Sequence, residues 1–107
     1  MSESTGSLGI LVLEGEIDLY RSAEVREKLA GLIDRKMGRI LVDMSRVNYI
    51  DSSGLALFIE CLQRMAEYGG RLGIFGLQQT VAHIFEIARL DQVLHIYPDE
   101  TAARVAV

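Results

Sequence analysis

The sequence is poor in the residues that staple or stiffen small proteins. It has a single cysteine, Cys61, so an internal disulfide and a cysteine-rich metal site are both excluded. A lone thiol fits a reducing compartment. It has one proline, Pro98, against 10 glycines, a balance that suits strands and helices alternating through tight turns. Positive charge is also short. Lysine and arginine total 11 against 15 aspartates and glutamates, and the net charge of -4 argues against a general nucleic-acid binder, which needs a basic surface to neutralise phosphates. No apolar run approaches the ~20 residues of a membrane span. The longest candidate, Leu55 to Leu62, is broken by Glu60. The opening Met-Ser-Glu-Ser-Thr-Gly-Ser has neither the basic start nor the apolar stretch of a secretory signal. These absences lead to the expectation of a cytoplasmic protein without direct membrane insertion.

What remains is enough for one folded domain. The chain has 107 residues, 50% hydrophobic and 24% charged, which is an ordinary globular balance. Residues 1–7 read as a loose polar tail and 8–107 as the domain. Leu8 to Leu13 is a continuous apolar run bounded by Glu14-Gly15, a buried strand that Ile17 can extend. Ser22 to Lys36 reads as a helix, with Val25, Leu29, Leu32 and Ile33 on one stripe and Gly38 as its stop. Arg39 to Met44 is a second strand, and Ser45 to Ile50 a connector. Leu55 to Tyr68 carries the strongest helical period, ended by Gly69-Gly70. Leu72 to Phe75 is a third strand, Thr80 to Ala88 a helix, and Val93 to Tyr97 a fourth strand. After Pro98, Asp99 or Thr101 can cap a last helix through Ala103 to Val107. Strict alternation of this kind predicts an α/β domain: a mostly parallel sheet of four to five strands with about four helices. In such folds, binding sites gather at the carboxyl ends of strands, where helices begin.

The informative segment is Tyr49-Ile50-Asp51-Ser52-Ser53-Gly54-Leu55, which joins an apolar stretch to the strongest helix. Unpaired backbone amides and the helix dipole converge there. Two readings follow. Asp51 or Ser52 is simply the helix cap. Alternatively, a serine hydroxyl here accepts phosphate, whose ~1.5 to 2 negative charges a helix start tolerates.

The segment Asp51-Ser52-Ser53-Gly54-Leu55 resembles the signature of STAS domains, specifically the anti-sigma factor antagonists. Gly15-Glu16-Ile17-Asp18, Leu41-Val42-Asp43-Met44-Ser45, Gly69-Gly70-Arg71-Leu72 and Leu90-Asp91 fall in register with it, so the resemblance runs from Leu8 to the C-terminus. It implies a partner-switching regulator of transcription. The unphosphorylated form binds an anti-sigma factor that is also a serine kinase, and so frees the sigma factor. The kinase binds the ATP, and this chain itself needs no cofactor or metal. Phosphorylation of Ser52 releases the complex, and a serine phosphatase resets it. Ser53 is then a neighbouring cap, Asp51 shapes the loop, and Asp18 lies beside it on the partner-binding surface with Gly54. The state implied is a monomer or weak dimer. The chain departs from the family at its short N-terminus, where an edge strand is shortened or missing, and at Arg89, where glycine is common.

Other features of the sequence carry weaker signals. On the central helix, Leu57, Cys61 and Arg64 form a second stripe, read as a partner-facing patch next to Ser52 over the alternative of burial against a neighbouring helix. The glycine-rich segment Gly69 to Gly76 precedes and crosses a strand and lacks the Lys-Ser/Thr of a phosphate loop. His83 and His95 have no second ligand at metal spacing. The Gly-x-Ser-x-Gly elbow of hydrolases is absent, so the chain reads as a binding protein rather than an enzyme. Two rival roles share the same fold: an accessory subunit of a lipid transporter and a subunit of a stress-sensing scaffold.

Overall fold

The computed structural model describes residues 7–106, and the elements run strand, helix, strand, helix, strand, helix, strand, helix. The strands are β1 (Leu8–Ile17), β2 (Arg39–Ile50), β3 (Arg71–Phe75) and β4 (His95–Tyr97). The helices are α1 (Ser22–Asp34), α2 (Ser52–Ala66), α3 (Gln79–Ile87) and α4 (Glu100–Ala106). All strand pairs are parallel, in the order β1-β2-β3-β4, as the alternation predicts. Among the described residues, no helix is long and apolar enough to cross a membrane.

The apolar periods decide which face each element covers. Val25, Leu29 and Ile33 of α1, Phe58 and Met65 of α2, and Val81 and Phe85 of α3 bury themselves against Ile40, Val42 and Met44 of β2 and Ile74 of β3. Successive strand residues point to opposite faces. Leu41 and Phe75 therefore face the other way, where Ala103 of α4 meets them. One side of the sheet is covered by three helices and the other by a single short one.

Several boundaries differ from the sequence reading, each for a local reason. Glu14-Gly15 does not end β1. Register shifts between Val12 and Glu14 and between Gly15 and Glu16 absorb it, and Gly15 takes φ +78°, a conformation that favours glycine at a bulge. The expected connector Ser45 to Ile50 consequently continues as β2, with Val47 and Ile50 buried. Lys36 at φ 56° stops α1 at Asp34, short of the expected end. Val93 lies outside β4, half exposed after a short 3-10 turn at Leu90–Gln92. Of the expected loose tail, residues 1–6 lie outside the described residues, as does Val107. Ser7 is held: its carbonyl accepts from the Arg39 amide at 3.0 Å and its hydroxyl from the Gly38 amide at 3.0 Å.

The contact that places the start of α2 is made by a missing side chain. A Cβ on Gly54 would stand 2.7 Å from Cγ1 of Ile50, 2.9 Å from Cγ2 of Ile17 and 3.0 Å from the Ile17 carbonyl oxygen. Ile17 and Ile50 are buried at the ends of β1 and β2, so the helix can come this close only with glycine there.

Two stability predictions follow from this backbone. Gly54→Ala overpacks the junction and should cost ~1–3 kcal/mol despite alanine's better helix propensity, read as a lowered denaturation midpoint in urea. Arg89 ends α3 with φ 62°, a left-handed conformation that is strained for arginine. Arg89→Gly should therefore stabilise the fold by ~0.5–1 kcal/mol, measured as a raised Tm, and an unchanged or lower Tm would contradict the strain.

Candidate functional site

The site forms where the carboxyl ends of β1 and β2 meet the start of α2. Asp51 leaves β2 with extended backbone and is the cap of α2. Its Oδ1 accepts from the Ser53 amide at 3.0 Å and the Gly54 amide at 3.2 Å. The Ser53 hydroxyl donates to the same oxygen at 2.6 Å. Oδ2 accepts from the Leu19 amide at 3.2 Å, and the Asp51 amide donates to the Ile17 carbonyl at 3.2 Å. One carboxylate thus satisfies the helix start and ties the β1–α1 loop to it. The Ser53 hydroxyl is the largest influence holding this carboxyl below its usual value, and the Gly54, Ser53 and Leu19 amides act in the same sense against the opposing effect of burial.

This arrangement settles which residue caps the helix. Asp51 is the cap, and Ser52 is not. Ser53 is not a neighbouring cap either, because its hydroxyl donates to the capping carboxylate instead of accepting from a backbone amide. Ser52 is the first residue of α2 and its side chain is exposed. No hydrogen bond holds its hydroxyl among the described residues, so an approaching group can reach it without breaking an internal contact. The convergence of free amides at this helix start is smaller than the sequence suggests, since the Ser53 and Gly54 amides already have a carboxylate partner.

Asp18 stands at the mouth of the neighbouring loop. Its Oδ1 accepts from the Tyr20 amide at 3.0 Å and the Arg21 amide at 3.1 Å. Ser22 donates its hydroxyl to the Leu19 carbonyl at 2.9 Å. Arg21 folds back along β1, and its Nη1 donates to the Glu16 carbonyl at 3.0 Å and to the Glu14 carbonyl. The loop is therefore built from its own hydrogen bonds. It displays Leu19 at 69% and Tyr20 at 90% exposure, two large apolar side chains held in water beside Asp51. Sequence reasoning missed both. The available signal was that Leu-Tyr follows Asp18 outside either the strand or the helix period.

Leu57 and Cys61 do not belong to a partner-facing patch. Each is 2% exposed and joins the core, because α1 packs along α2 and covers the second stripe. Burial pushes the Cys61 thiol up to about 12, which keeps it protonated and unreactive. Arg64 is partly exposed but is turned across the helix seam to Asp34 at 3.0 Å, and Arg26 pairs likewise with Glu60 at 2.7 Å. The histidines do not gather at the site: His83 faces Glu86 on α3 at 3.8 Å and His95 opens β4.

The family model for the STAS domain matches residues 1–103. The anti-sigma-B factor antagonist of Staphylococcus aureus is 32% identical over 82 residues, covering 77% of this chain and 76% of that protein. An anti-sigma factor antagonist from Mycobacterium paratuberculosis superposes with a TM-score of 0.86 at 18% identity, over 100% of this chain and 88% of that one. The Bacillus cell fate determinant SpoIIAA in its phosphorylated form gives 0.70 at 20%, over 100% and 96%. The STAS domain of a SulP transporter from Vibrio cholerae also gives 0.70, at 21%, over 96% and 80%. The parallel α/β fold with a capped serine loop at its carboxyl edge, together with these matches, establishes that the chain belongs to the STAS domain family.

Proposed function

We propose that this protein is an anti-sigma factor antagonist, controlled by phosphorylation of Ser52. The observation that carries the reading is the exposed Ser52 beside a carboxylate-capped helix start, with no hydrogen bond to its hydroxyl among the described residues. The Staphylococcus aureus relative named an anti-sigma-B factor antagonist supports the regulatory class. The phosphorylated state of the Bacillus protein supports a switch built on covalent phosphate. In this role the protein acts in the cytoplasm as the substrate and ligand of an anti-sigma factor kinase, which supplies the ATP site. A serine phosphatase reverses the modification.

The physics of release is electrostatic. A phosphate on Ser52 gains ~0.3–1 kcal/mol from the dipole of α2. The Asp51 carboxylate already occupies the Ser53 and Gly54 amides, and Asp18 adds a further negative charge nearby. In the free protein, water screens this crowding. Docking the same dianion against a partner's active site removes the water and leaves a buried charge without a counterion, at ~3–5 kcal/mol. At ~1.4 kcal/mol per decade, that is two to three decades in affinity. The fold need not change for the complex to come apart.

Leu19 and Tyr20 supply the attraction that phosphate must overcome. Tyrosine is enriched among residues that dominate interfaces, and a preformed loop costs little ordering on binding.

Incubation with the cognate anti-sigma kinase and ATP, followed by mass spectrometry, should place phosphate on Ser52 and none on Ser52→Ala. Modification at another residue overturns the reading. Ser52→Glu should bind the kinase ~100-fold or more weakly than Ser52→Ala, measured by calorimetry. Binding insensitive to Ser52→Glu would instead indicate the transporter-type role, which needs no phosphate switch. Leu19→Ala and Tyr20→Ala should each weaken the complex by ~10–100-fold, by the same factor with Ser52→Ala as with wild type. Full affinity in both variants removes the loop from the interface.

A further inference from the structure

We propose that a cavity at the amino ends of β3 and β4, the opposite end of the sheet from Ser52, binds a small organic carboxylate with an apolar body. The inference is independent of the phosphorylation reading. The cavity has a volume of about 380 Å³, within the usual range for a small-molecule site. Among the described residues, Leu62 of α2, Gly70, Arg71 and Leu72 at the start of β3, and His95 and Tyr97 of β4 line it.

The cavity lies where the last two strands start at different levels. Arg71 opens β3 in register with Arg39 of β2, whereas the first residue of β3 to pair with β4 is Gly73, opposite His95. Arg71 and Leu72 therefore have no paired strand beside them on the β4 side. Alternation along the strands then sorts the walls. Leu72 turns into the core that three helices cover, and Leu62 packs against the same core. Arg71, His95 and Tyr97 fall on the other face, because Gly73 pairs with His95 and Phe75 with Tyr97, and Phe75 belongs to the cluster under α4. One wall is aliphatic and the other carries hydrogen-bond donors.

The charge of the lining calls for an anion. The chain as a whole is acidic, at -4, yet the cavity presents a guanidinium, an imidazole and a phenol and no carboxylate among the described residues. Arg21, Arg26, Arg46, Arg64 and Arg104 each have a carboxylate within 3.9 Å, and Arg71 has none among the described residues. The Arg71, His95 and Tyr97 side chains make no hydrogen bond there either. Arg39 sets a second guanidinium-bearing residue in register beside Arg71. A planar guanidinium fork matches a carboxylate through two parallel hydrogen bonds, and the phenol and the imidazole N–H can donate to the same group. The aliphatic wall separates an organic acid from a bare inorganic anion. Leu62 and Leu72 offer surface that only a ligand with an apolar remainder can cover, and burying that remainder adds affinity that phosphate or sulfate lacks.

Titration of the protein with phenylbutyrate, followed by amide correlation spectra, should shift the Gly70, Arg71, Leu72, His95 and Tyr97 amides saturably and leave those of Ser52 and Ser53 in place. Phenylbutyramide has the same body without the charge, and inorganic phosphate has charge without the body. Each should bind about tenfold or more weakly than phenylbutyrate. Arg71 is exposed, so Arg71→Gln should leave Tm unchanged while weakening phenylbutyrate binding by about tenfold or more. The probe series on the wild-type protein needs no variant. Shifts that fail to saturate or that scatter over the surface, equal binding of the amide or of phosphate, or full affinity in Arg71→Gln would each overturn the proposal.

Discussion

A single carboxylate organises the functional edge of this molecule. Asp51 closes the helix start through the Ser53 and Gly54 amides, takes the Ser53 hydroxyl, and reaches across to the Leu19 amide. Without it, the first turn of α2 would present unpaired donors and the β1–α1 loop would lose its tie to β2. The depressed pKa of this group is the same fact seen electrostatically, since each donor favours the charged form. Because the folded state holds the carboxyl below its ordinary value, the contribution to stability is present at neutral pH and fades as acid protonates the group.

Gly54 and Asp51 act as a pair. The glycine lets the helix approach Ile17 and Ile50, and that approach brings the Asp51 side chain within reach of Leu19. The serine between them is left as the residue with no structural duty. Asp51, Ser53 and Gly54 are each consumed by capping or packing, whereas the Ser52 side chain points into solvent. A site for covalent modification needs that division of labour, because a hydroxyl already engaged in the fold could be modified only by disturbing it.

Much of this was legible in the sequence, and the failures have physical causes. Period and alternation are local properties, so β1, α1, α2 and the parallel sheet could be read directly. The role of Leu57 and Cys61 depended on a neighbour. A helical wheel shows that a second stripe exists, but only the packing of α1 along α2 shows that the stripe is covered. Val47 and Ile50 were hidden for a related reason: bulges break the period-two pattern by which a strand announces itself, so the polar end of β2 resembles a loop. Leu19 and Tyr20 follow Asp18 outside both the strand and the helix period, but the pattern does not show that Asp18 accepts from the Tyr20 and Arg21 amides in a turn that leaves both side chains exposed.

The two exposed apolar regions differ in a way that bears on their use. Leu19 and Tyr20 sit on a loop whose amides are already satisfied by Asp18 and Asp51, so what they offer a partner is side-chain surface alone. Recognition through such a loop depends on shape and charge, and it is sensitive to a phosphate placed beside it. Ile10 and Val12 of β1 are also exposed, at 38% and 48%. The register shift after Val12, and the Arg21 guanidinium on the Glu14 and Glu16 carbonyls, separate them from the loop along the same strand.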